Sequence, residues 1–260
     1  MEIKKASFLG HSRPLNTSIV VCRTPEDAMN TGRDSVFDGA DALGVQIEHM
    51  PPELRTEENL RRIFSSFGNR PIYATNYKRL YNENASYEEL LEGLLRMLRC
   101  GATLLDVMGD FYCPDPIQIT MNPEAIAKQK AAIERIHAEG GEVLMSSHVQ
   151  KFLPGEEVLK IALEHQARGA DISKIVTAAN SPEEEAENLK TVALLRRELD
   201  IPFLFLANGT HFRILRTVGP FMGVCMWLTV QRHVEDDTLN QPMTRAIRDI
   251  AANFDYIPQF

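Results

Sequence analysis

Short apolar runs rich in β-branched residues alternate with longer stretches of helical period, and the alternation persists to the end of the chain. The run TSIVVC (17–22) predicts a first strand, followed by a helix opened by Thr24 and Pro25, an N-cap residue and a first-turn proline. DALGVQIE (41–48) predicts a second strand and TEENLRRIFSSFG (56–68) its helix, with Gly68 as the stop. PIYATNY (71–77) precedes SYEELLEGLLRMLRCG (86–101), where Ser86 and Glu89 stand at capping-box spacing and Gly101 ends the helix. TLLDVMG (103–109) pairs with NPEAIAKQKAAIERIHAEGG (122–141), and EVLMSSH (142–148) with PGEEVLKIALEHQARG (154–169). GADISKIVTAAN (169–180) precedes SPEEEAENLKTVALLRREL (181–199), another Ser-Pro helix start. PFLFLANG (202–209) leads to a short helix around 210–217, and MGVCMWL (222–228) to PMTRAIRDIAANF (242–254).

Eight such βα units, with strands apolar on both faces, call for a parallel sheet closed into a (β/α)8 TIM barrel. An open doubly wound sheet is the alternative, but the turn after its first strand should be rich in glycine, and here it reads CRTPEDA. No linker interrupts the series, so residues 1–260 are expected to form a single domain.

One residue breaks the apolar pattern where chemistry is expected. Lys174 interrupts the sixth strand, between Ile172 and Val176 on its own side and flanked by Ser173 and Ile175 on the other. A strand lysine ordinarily lies at an edge and snorkels to solvent. Pointed at the barrel axis, it would lose its hydration, its pKa would fall, and the neutral amine could form a Schiff base with a ketone or aldehyde. The fifth strand ends in His148, at the carboxyl-terminal rim where barrel active sites lie, and shares a face with Ser146 and Leu144. A lone strand-end histidine is more often a hydrogen-bonding residue than a catalyst. Beside an inward lysine, it becomes a base for removing a proton next to a carbonyl. Glu48, closing the second strand, could pair with Arg79, or else contact a substrate hydroxyl or orient a catalytic group.

Composition narrows the partners. A hydrophobic share of 44% with 25% charged residues is an ordinary globular balance, and no apolar run approaches the ~18 residues of a membrane helix. The amino-terminal MEIKKASFLG lacks the apolar core of a secretory signal, which predicts a cytoplasmic protein. A net charge of −8 without a basic stripe argues against nucleic acid. Cys22, Cys100, Cys113 and Cys225 are scattered without a CxxC pair, so reduced thiols are expected and no metal site. The expected partner is a small molecule.

The segment VLMSSH, with GADISKI about twenty residues on, resembles type I 3-dehydroquinate dehydratase, a family in which a histidine ends one barrel strand and a Schiff-base lysine lies on the next. The resemblance extends over essentially the whole chain. DALGVQIE is similar to the family's strand with an acidic residue, which implies a substrate-binding Glu48. RTVGPFMG (216–223) resembles its arginine-glycine-glycine pattern, making Arg216 the carboxylate-binding arginine, and Gln241 matches the glutamine of its final loop. Elsewhere the pattern differs. Met50 stands for an arginine, Tyr77 for the arginine ending strand three, Tyr81 for an acidic residue four positions later, Asn208 for a methionine, and Val149-Gln150 for aspartate-phenylalanine. Tyr77 and Asn208 are accordingly expected among the substrate contacts.

The resemblance implies a hydro-lyase acting on 3-dehydroquinate or a related, anionic ketone, with Lys174 and His148 catalytic, no metal, no organic cofactor and a homodimeric assembly. Two other readings stay open. One is a class I aldolase using the same lysine, with Gly209, Arg213 and Arg216 offered to a phosphate. The other is a ligand-binding barrel without catalysis.

Overall fold

The computed structural model describes residues 6–234 and 238–254; the first five residues of the amino-terminal stretch weighed above lie outside this range. The strands are β1 (Leu15–Val20), β2 (Ala42–Gln46), β3 (Ile72–Thr75), β4 (Leu104–Met108), β5 (Glu142–His148), β6 (Ile172–Ala179), β7 (Phe203–Gly209) and β8 (Met226–Thr229). The helices that follow them in turn are α1 (Pro25–Phe37), α2 (Glu57–Ser66), α3 (Tyr87–Cys100), α4 (Pro123–Ala138), α5 (Gly155–Ala167), α6 (Pro182–Glu198), α7 (Arg213–Met222) and α8 (Thr244–Phe254). All strand pairs are parallel, in the order β7-β6-β5-β4-β3-β2-β1-β8. This is a single (β/α)8 barrel. Its two sheet ends, β7 and β8, approach where Cys225 N–H donates to the Phe203 carbonyl at 2.9 Å.

The helix starts follow the side chains read from sequence. Thr24, Thr56, Ser86, Asn122 and Ser181 each accept a first-turn backbone N–H, and Ser86 with Glu89 closes a reciprocal capping box. The seventh unit departs from expectation. The N–H groups of Thr210 and His211 still bond the Ala179 carbonyl at the end of β6, so α7 begins only at Arg213 and runs on to Gly223, whose φ of 133° ends it. β8 therefore starts later than 222, at Met226.

Strand alternation sets the barrel interior. The β5–β6 register places Leu144 beside Ile172, Ser146 beside Lys174 and His148 beside Val176. The lowest tier is apolar, with Leu15, Leu104, Leu144, Ile172, Leu204 and Met226 all buried in one cluster. Phe8 closes on this cluster and donates its N–H to Glu142 at 2.9 Å. Above it Asp106, Ser146 and Lys174 bring polar groups into the interior toward the carboxyl-terminal mouth. Among the described residues no helix is long and apolar enough to cross a membrane, and no three histidines, cysteines or acids cluster for a metal.

His165 on α5 is buried between Ser147 and Ser173, 3.0 Å from each hydroxyl, and burial drives its pKa down to about 3. Because the unfolded chain binds this proton and the folded chain does not, stability is complete above the unfolded value of ~6.5 and falls as pH drops below it. Urea midpoints should therefore correspond to a loss of about 1.4 kcal/mol per pH unit from this one residue. His165→Gln should reduce the slope by one proton; an unaltered slope would assign the acid sensitivity elsewhere.

Candidate active site

Lys174 points into the barrel and is 4% exposed. Its Nζ lies 3.0 Å from Tyr73 Oη, 2.8 Å from Tyr77 Oη and 3.3 Å from Asp106 Oδ2. Asp106 projects from β4 and accepts from the Tyr73 hydroxyl, from Tyr77 Oη at 2.5 Å and from Ser146 Oγ at 2.5 Å. Desolvation lowers the Lys174 pKa, opposed by the Asp106 carboxylate beside it. Desolvation, reinforced by the same carboxylate, holds both tyrosines well above the ordinary phenol range, so they remain donors. The result is an amine in a hydrogen-bonded cage, its pKa lowered by burial while Asp106 beside it favours the charged form.

A cavity of about 380 Å³ opens over this cage, with Lys174, Tyr77 and His148 all on its wall. The His148 ring meets the Tyr77 ring edge-on with centroids 5.5 Å apart. Its Nδ1 lies 2.9 Å from Gln118 Oε1, and its backbone N–H donates to the same oxygen at 2.8 Å. Desolvation, together with the positive charges of Lys174, Arg79 and Arg216, holds the imidazole well below its usual pKa. It is a neutral base across the physiological range.

The cavity wall at β7 and the loop after β8 carries positive charge. Arg216, from α7, is buried and donates from Nε to the Ala207 carbonyl at 2.8 Å, from Nη1 to Gln241 at 2.9 Å and from Nη2 to Asn208 at 2.8 Å. No carboxylate pairs with it among the described residues, and burial lowers its pKa to about 10. Lys78, Arg79, Lys174 and Arg216 line the cavity, and no described acidic residue does.

Of the residues singled out in the sequence, Lys174, His148, Arg216, Gln241, Tyr77 and Asn208 converge on this one cavity. Glu48 does not line it. The acid lies in a turn, Ile47–His49, past the end of β2, where it accepts from Thr75 Oγ1 at 2.8 Å and pairs with Arg79 at 3.3 Å. Desolvation raises its pKa, opposed chiefly by Arg79. Its reach into the site therefore runs through Arg79, and His148 is held by Gln118 instead. Met50 is packed in the core and Tyr81 is 54% exposed, so neither supplies a site contact. Gly209, Arg213 and Arg216 do not form a joint phosphate cradle: Arg213 is exposed, its guanidinium 4.8 Å from the Phe212 ring, and only Arg216 reaches the cavity.

Sequence reasoning missed Asp106, Tyr73 and Gln118. Asp106 carries the same signal as Lys174, a charge inside an apolar strand. Tyr73 lies one strand repeat before Thr75 on the inward face. Gln118 belongs to the aperiodic loop between β4 and α4, whose position has no sequence signature.

The model of type I 3-dehydroquinase matches residues 19–252. No curated protein matches the chain by sequence. Among solved structures, the 3-dehydroquinate dehydratase of Geobacillus kaustophilus is 19% identical, with 96% of this chain and 94% of that one covered and a TM-score of 0.79. The type I enzyme of Clostridium difficile, solved with covalently modified comenic acid, is 16% identical over 94% of each chain, with a TM-score of 0.78. The Enterococcus faecalis 3-dehydroquinate dehydratase is also 16% identical, over 96% of this chain and 98% of that one, with a TM-score of 0.75. At these identities the structures speak for the fold, while the family match spans nearly the whole barrel. The chain belongs to the type I 3-dehydroquinase family.

Proposed function

We propose that the protein is a Schiff-base dehydratase that removes water from 3-dehydroquinate or a related anionic β-hydroxy ketone. The reading rests on one observation: a buried amine, desolvated among Tyr73, Tyr77 and Asp106, shares a cavity wall with a neutral histidine. Neutral Lys174 attacks the carbonyl carbon, and the carbinolamine loses its oxygen as water to give an iminium. The proton that the nitrogen sheds on attack is relayed through the Tyr77–Asp106 hydrogen-bond chain, which touches Nζ directly, to the former carbonyl oxygen. One more proton from solvent lets that oxygen leave as water and is returned when the imine is hydrolysed.

The iminium draws electrons from the neighbouring C–H bond, and His148 takes that proton. The resulting enamine expels the β-hydroxyl, which leaves as water with the proton His148 returns. Water then cleaves the imine, releasing the unsaturated ketone and restoring the amine. Arg216 holds the anionic end of the substrate, since a buried guanidinium without a carboxylate partner gains most from one. Asn208, Asn240 and Gln241 orient that guanidinium and bind substrate hydroxyls beside it. Tyr77, standing where the family pattern has an arginine, offers a neutral phenol there, which favours a substrate with less negative charge or fewer hydroxyls at that end.

Turnover of 3-dehydroquinate, followed by the absorbance of the conjugated product, and borohydride reduction during turnover test this together. Expected are product formation and a mass gain confined to Lys174. Trapping without turnover would exclude 3-dehydroquinate and keep the imine. Failure to trap any ketone that binds would leave a ligand-binding barrel.

A further inference from the structure

The loop between β4 and α4 supplies the base with a partner that no strand provides. Gln118 Oε1 lies 2.8 Å from the His148 backbone nitrogen and 2.9 Å from its Nδ1. A backbone N–H can only donate, so the atom facing it must be the amide oxygen rather than the amide nitrogen. That oxygen is purely an acceptor, so Nδ1 must in turn carry a proton. The backbone bond thus settles both the orientation of the amide and the tautomer of the ring.

We propose that Gln118 is the positioning residue of the general base, fixing His148 with its proton on Nδ1 and its lone pair at Nε2. This rests on the dehydratase reading for its catalytic meaning, and on geometry alone for the tautomer.

The loop around Gln118 is built to keep it there. Its backbone adopts a left-handed φ of 50°, rare for a residue with a side chain. Three contacts hold that conformation. Gln118 N–H donates to the Asp115 carbonyl at 2.9 Å, Ser147 Oγ donates to the Gln118 carbonyl at 2.6 Å, and Gly109 approaches so closely that a Cβ there would lie 2.5 Å from that carbonyl oxygen. Ser147 gives its only proton to Gln118, so His165 Nε2–H must donate to Ser147, and Ser173 must donate to His165 Nδ1. A chain of hydrogen bonds thus runs from the outer helix layer to the base.

The charge around His148 gives this amide a consequence. Lys174 faces it from β6, Arg79 and the Tyr77 phenol ring from the loop after β3, and Arg216 from α7. The nearby carboxylates are engaged elsewhere, Asp106 with Lys174 and the tyrosines, Glu48 with Thr75 and Arg79. An amide partner orients the ring without stabilising its protonated form. A carboxylate at the same place would do both.

Two variants separate these roles. Gln118→Met should lower kcat by about 10- to 100-fold with KM little changed, the usual range for a lost orienting partner. Gln118→Glu should keep kcat at high pH but move the acid limb of kcat/KM upward by about one pH unit or more, as an adjacent opposite charge does. Nitrogen-15 NMR of the resting protein should show His148 as the Nδ1–H tautomer, with mixed tautomers in Gln118→Met. An Nε2–H imidazole in the unaltered protein, or an acid limb unmoved by Gln118→Glu, overturns the proposal. The NMR measurement needs no substrate. A protein that turns over no ketone yet shows this tautomer change loses the proposed reaction and keeps the role of Gln118.

Discussion

Lys174→Met is expected to abolish borohydride trapping and to lower turnover on the order of 10⁴- to 10⁶-fold, the scale seen when a covalent nucleophile is removed. The loss has to come from chemistry rather than unfolding, and the cage predicts that it does. Removing one partner of a buried ion pair usually costs about 3–5 kcal/mol because the other charge is stranded. Asp106 is not stranded here: Tyr73, Tyr77 and Ser146 continue to donate to it, with the last two at 2.5 Å. A folded variant with native-like circular dichroism and a smaller stability loss should therefore be obtained. Retained turnover in that variant would remove the imine from the mechanism.

His148→Ala should act at a later step. The amine and its cage are untouched, so reduction with borohydride should still label Lys174, while elimination slows by roughly 10²- to 10⁴-fold for want of a positioned acid and base. The pairing of results is what matters, since a residue needed only for folding would lose both signals and a bystander neither. An unchanged rate would return His148 to the role of a strand-end hydrogen bonder.

The barrel was legible because its signals are local. Capping side chains mark the helix starts, β-branched runs mark the strands, and period-two alternation groups Lys174 with Ile172 and Val176 and His148 with Ser146 and Leu144, without saying which face is inward. The limits are equally physical. Strand alternation assigns a side, but it does not say which strands' side chains meet across the axis, and the Lys174 cage draws on β3 and β4 rather than on its ladder neighbours. The start of α7 was misplaced because propensity does not register that Thr210 and His211 are still bonded to Ala179. Glu48 is at the right rim but turned aside, since two residues past the end of β2 the alternation no longer governs direction. Loop residues such as Gln118 are positioned by turns and by contacts distant in sequence, which leave no periodic trace.

The joint between β7 and β8 gives Arg216 a second significance. Its guanidinium reaches back to Ala207 and Asn208 on β7 and forward to Gln241 in the loop after β8, so it rivets the two free edges of the cylinder. A ligand that grips this rivet strengthens the joint, and by reciprocity anything that loosens the joint weakens the grip. In the proposed reaction, closing the barrel and holding the anion are, at this residue, the same mechanical act.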